Sequence, residues 1–158
     1  MKRAWFGLFA AVSLFAAASG GARQDATVVM PGDPAALKQQ ESRGFSDAIV
    51  TADNTVYLSG VVAGSKDGDK GLEDAYSRAF DRIAAILAKA GAGWDDVVDI
   101  TSFHTDLKSQ MPAFTAVKNR YVRAPFPAWT AVEVSRIPGN GITEIKLVAK
   151  LPAKPRKL

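Results

Sequence analysis

One carboxylate lies inside a stretch otherwise made of strand-forming residues. Glu144 sits within Ile142-Thr143-Glu144-Ile145-Lys146-Leu147-Val148-Ala149, the last β-rich run of the chain. A carboxylate beside a partly desolvated water can take a proton and then return it. Taken alone, Glu144 next to Lys146 reads more simply as a solvated strand residue. Other chemistry is excluded or weak. There is no cysteine, so disulfides, thiolate metal sites and a cysteine nucleophile are ruled out. His104 is the sole histidine, so no multi-histidine metal site exists, and it is assigned a structural role. Asp95 and Asp96 begin a turn or cap, and Gly91-Ala92-Gly93 stops a helix. No P-loop, dinucleotide fingerprint or nucleophile elbow is present. Neither a metal nor a cofactor is expected.

The elements that must position Glu144 are legible from periodicity. Phe45–Val50 and Thr55–Ser59 form a β-hairpin across Ala52-Asp53-Asn54. Val61–Asp69 reads as a loop. Leu72, Ala75, Ala79, Ile83, Ile86, Leu87 and Ala90 recur at helical spacing and predict a helix over 71–90. Val97–Thr105 is a third strand. A second helix covers 111–122, with Ser109 as N-cap and Pro112 in its first turn. Trp129–Val134 and Ile142–Leu151 are the last strands, around Pro138-Gly139-Asn140-Gly141. In the final strand Thr143, Ile145, Leu147, Ala149 and Leu151 alternate with Ile142, Glu144, Lys146, Val148 and Lys150. The order β-β-α-β-α-β-β predicts an α+β domain with two helices on one face of a single mixed sheet. Val56, Leu58, Val132 and Val134 leave little of the other face polar, which points to burial against another subunit.

The 158 residues suffice for one domain, and a hydrophobic fraction of 47% is that of a globular chain. Residues 1–22 read as a secretory signal peptide: Lys2 and Arg3, an uncharged run from Ala4 to Ala18, then small residues. That run is shorter than the roughly 20 residues needed to span a bilayer. Export, to a bacterial periplasm, is expected, with no stable membrane association after cleavage. Residues 23–43 read as a linker or N-terminal arm, 44–152 as the folded domain and 153–158 as a basic tail. The formal net charge of +4 is not organised as a basic patch interleaved with aromatics, so no nucleic-acid partner is expected.

Four segments, in order, resemble the RidA (YjgF) family of reactive enamine/imine deaminases. They are Phe45-Ser46-Asp47-Ala48-Ile49, Tyr57-Leu58-Ser59-Gly60, the run Gly93 to Leu107 ending in Thr105-Asp106-Leu107, and Pro127 to Ala149. The resemblance implies a chorismate-mutase-like fold, a homotrimer and small-molecule clefts between subunits. It implies that Glu144 positions the water that hydrolyses a C=N bond and that Phe45, Ser59 and Gly60 line the cleft. Family members carry an arginine after Pro-Ala that grips the substrate carboxylate. This chain has Trp129 there, so weak activity on carboxylate-bearing imines is expected. Arg136 and Arg120 are the candidates for replacing that charge, both read first as surface residues. The alternative is a non-catalytic trimer whose clefts, lined by Trp129 and Phe45, bind a small ligand.

Overall fold

A computed structural model describes residues 21–152. Most of the signal-peptide reading and all of the basic tail lie outside the described residues. Seven strands form one mixed sheet: β1 (Thr27–Val29), β2 (Ala48–Val50), β3 (Thr55–Leu58), β4 (Val61–Gly64), β5 (Val97–His104), β6 (Ala128–Glu133) and β7 (Gly141–Lys150). Three helices accompany it: α1 (Pro34–Arg43), α2 (Leu72–Lys89) and α3 (Leu107–Tyr121). The strand order is β1-β2-β3-β7-β5-β6, and β4 also pairs with β7. Only β5 and β6 run parallel.

β7 organises the sheet. Its ten residues alternate as expected, with Thr143, Ile145, Leu147 and Ala149 buried. One edge pairs with β5, while the other is shared by β3 and β4. β3 and β4 are therefore one strand direction interrupted at Ser59-Gly60. β4 lies in the stretch expected as a loop, because four residues are too few to show a period.

The inner face is covered by α2 and α3, whose Tyr76, Phe80, Ile83, Leu87, Phe114 and Val117 meet Val56, Leu58, Ile100, Ile145 and Leu147. α3 begins a turn earlier than expected. Asp106, not Ser109, is its N-cap, and its carboxylate accepts from the Ser109 amide at 3.1 Å. Pro112 then lies inside the helix rather than in its first turn.

The segment 23–43, read as a linker or N-terminal arm, contains β1 and α1. β1 extends the sheet by pairing with β2. α1 has no apolar stripe, since Gln40 is its one buried residue, and it stands on its ends. The Asp33 side chain accepts from the Ala36 amide at 2.8 Å, Pro34 opens the first turn, and Gly44 closes the helix at φ +70°.

Candidate functional site

Strand parity decides which residues share a face. Bridge partners across a sheet point to the same side. Glu144 is opposite Phe103 on β5 and Val62 on β4, and all three face outward. Lys146, two residues on, joins them. Around Glu144 these strands form a shallow hollow of about 240 Å³, lined by Gly60, Phe103, Val134, Arg136, Ile137, Glu144 and Lys146. The ion pairs among the described residues engage Asp47, Asp53, Asp69 and Glu73, and leave Glu144 out. The hollow thus offers one unpaired carboxylate, two cations and an apolar wall. Gly60 makes this approach possible. A Cβ there would lie 2.6 Å from Glu144 Cδ and 2.8 Å from Cγ.

Arg136, read first as a surface residue, is exposed but sits at this hollow. Arg120, the other candidate, is paired with Glu73. Lys146 was visible as a neighbour of Glu144. Its shared face follows from the two-residue period of a strand.

Trp129 lies elsewhere. It bridges Ile100, an inward-facing residue with no exposure, so its indole enters the layer beneath α3. There it stacks on Phe114 with ring centres 5.6 Å apart, and Lys118 Nζ lies 4.7 Å from its centroid. Its Nε1–H donates to Ser102 Oγ at 3.0 Å. A buried polar chain continues from Ser102 Oγ to His104 Nε2 at 3.0 Å and from His104 Nδ1 to Thr143 Oγ1 at 3.1 Å. Thr143 Oγ1 also meets Gln110 Oε1 at 3.2 Å and Tyr76 OH at 3.0 Å. Burial holds the His104 imidazole below its ordinary value, and burial likewise lowers the Lys118 ammonium. Within one chain, therefore, Trp129 and Glu144 occupy opposite faces of the sheet.

Phe45 is 42% exposed and lines a second hollow, between α1 and α2. Ser59 spends its hydroxyl on the Ser46 carbonyl at 2.7 Å, fastening the start of β2 to the end of β3. Gly60 alone touches both hollows. Val56 and Leu58, expected on the outer face, are on the inner one at 0% and 2% exposure. Their places are taken by Val28, Ile49, Tyr57, Val62, Phe103, Val132 and Val148, and Tyr57 and Val28 are about half exposed.

This sheet, with its Ser-Gly break facing a carboxylate on β7, has counterparts of known structure. Residues 36–151 match the family model described as Endoribonuclease L-PSP. The chain belongs to the RidA (YjgF) family. It is 40% identical over 111 residues to the RutC family protein YjgH of Escherichia coli, covering 68% of this chain and 83% of that protein. It is 30% identical over 116 residues to a 2-iminobutanoate/2-iminopropanoate deaminase of Dermatophagoides farinae, covering 71% and 89%. The solved structure of YJGH superposes with a TM-score of 0.70 at 34% identity over 82% of this chain and 99% of that one. RidA from an Antarctic Psychrobacter gives 0.60 at 31%, over 68% and 88%. The fold is accordingly the chorismate-mutase-like fold of the RidA family, with α1 as a third helix beside the expected two.

Proposed function

We propose that this protein hydrolyses the C=N bond of small reactive imines at the Glu144 hollow. Glu144 takes a proton from water as the water oxygen bonds to the imine carbon. Glu144 returns that proton to the nitrogen, giving the neutral tetrahedral carbinolamine. It then passes the carbinolamine hydroxyl proton to the nitrogen as the C–N bond breaks, so both protons of the water leave in ammonia and its oxygen stays in the carbonyl product. Arg136 and Lys146 hold a substrate carboxylate, the task that residue 129 leaves undone when it carries an indole. The observation that carries this reading is an unpaired carboxylate flanked by two cations in one hollow. The deaminase name borne by relatives of comparable length supports it. The export of this activity rests on the composition of residues 1–22, and the trimer on the apolar outer face.

The test follows hydrolysis of 2-iminopropanoate, formed in situ and competed by a scavenger amine. Wild type is expected to accelerate it and Glu144→Gln to abolish that effect. Arg136→Ala is expected to lower kcat/KM roughly five- to thirtyfold, since an exposed charge-assisted contact contributes about 1–2 kcal/mol. Wild-type silence overturns the reading and favours the alternative, a non-catalytic ligand-binding protein. Of the two residues expected to line its cleft, Phe45 borders the hollow between α1 and α2, and Trp129 is turned beneath α3.

A further inference from the structure

The hollow between α1 and α2 measures about 430 Å³ and is separated from the Glu144 hollow at Gly60. Its volume falls in the range of small-molecule sites. Its floor is polar and buried: Asp47 is 6% and Gln40 3% exposed. Gln40 Nε2 donates to Asp47 Oδ1 at 2.7 Å, and an Arg82 guanidinium nitrogen reaches the same oxygen at 3.4 Å. Asp47 Oδ2 accepts no hydrogen bond among the described residues, and Asp47 lines the hollow. Behind it, Gln40 Oε1 is buried without a donor. The floor has acceptors to spare.

The rim has the opposite character. Arg43, three residues beyond Gln40 on α1, and Lys89, seven beyond Arg82 on α2, both line the hollow. These spacings place each pair on one helix face. Neither Arg43 nor Lys89 joins an ion pair among the described residues. Ile86, between Arg82 and Lys89, supplies an apolar wall. A simple anion would meet the Asp47 carboxylate, and a simple amine would meet three cations. A ligand carrying an ammonium and a carboxylate on the same carbon matches the site.

We propose that the α1–α2 hollow binds the zwitterionic head of an apolar α-amino acid. Its ammonium donates to Asp47 Oδ2, its carboxylate accepts from Arg43 and Arg82, and its side chain lies along Ile86. This site is independent of C=N hydrolysis at Glu144.

The test titrates the ¹⁵N-labelled full chain with L-leucine, 4-methylpentanoate and 3-methylbutylamine. L-Leucine is expected to shift the amide signals of Gln40, Arg43, Asp47 and Ile86 saturably. Each analogue, lacking one charge, is expected to bind about tenfold more weakly or worse, the effect of one lost charged hydrogen bond. Arg43→Ala, at an exposed position, and Asp47→Asn, which keeps an acceptor for Gln40, are each expected to weaken L-leucine about tenfold. Glu144→Gln is expected to bind it as wild type does. Three outcomes overturn the proposal: no saturable shift with L-leucine, equal binding of 4-methylpentanoate, or shifts confined to Phe103 and Glu144.

Discussion

The inward placement of Trp129 yields a sharp prediction. Trp129→Arg removes the 3.0 Å hydrogen bond to Ser102 and the stack on Phe114, and sets a guanidinium near the Lys118 ammonium. The hydrogen bond contributes about 1 kcal/mol and the aromatic pair about another. Two like charges about 5 Å apart repel by about 3 kcal/mol at an effective dielectric of 20. β6 is an edge strand with solvent beside it, so the new side chain relieves part of that repulsion by swinging out. The expected net loss is about 2–4 kcal/mol. With a urea m-value of about 1.5–2 kcal/mol/M, the unfolding midpoint should fall by about 1–2.5 M. Trp129→Phe keeps a ring against Phe114 and should cost only about 1 kcal/mol. Adding Lys118→Met to Trp129→Arg should recover about 1 kcal/mol or more in a double-mutant cycle. A Trp129→Arg protein as stable as wild type, with increased imine turnover, would refute the reasoning. It would place residue 129 in ligand space instead of beneath α3.

Three further expectations follow. Gly60→Ala should leave the fold intact, because the colliding atoms belong to a flexible side chain, but should displace Glu144 and remove hydrolysis of 2-iminopropanoate; unchanged kcat/KM would disprove the close approach. His104 is held neutral by burial, with a folded-state value below the ordinary 6.5. Its unfolded form therefore gains a proton first as pH falls. Stability should be constant in this respect above about pH 6.5 and decline below it, with a slope of at most about 1.4 kcal/mol per pH unit. Urea midpoints between pH 7.5 and 5 measure this, and His104→Asn should flatten the trend. Finally, Tyr57→Lys or Val132→Lys on the outer face should shift a trimer toward monomer in light scattering, whereas a wild-type monomer would remove the need for any covering subunit.

Local patterns in the sequence were enough to determine the elements with a strong period. The α2 stripe from Leu72 to Leu87 and the alternation of β7 both arise from residues whose burial repeats with their own element, so no knowledge of neighbours is needed. Glu144 is locally no more than a charge in a run of strand formers, like Lys146, and only the resemblance gave it a role. α1 was signalled only by its ends, Asp33-Pro34 and Gly44, because what it buries is one glutamine, Gln40, and not an apolar stripe. β4 has four residues and becomes a strand through its pairing with β7. The tertiary structure alone decided the contents of each site. Parity sent Val56 and Leu58 inward, turned Trp129 under α3 and left Glu144 outside, and parity depends on register with strands as distant in sequence as Thr55 is from Lys150. The pairing of Arg136 with the Glu144 hollow, and of Arg82 on α2 with Asp47, likewise depends on where distant backbone segments converge. Spacing along a chain fixes which side of its own element a residue faces, but only packing fixes what it faces there.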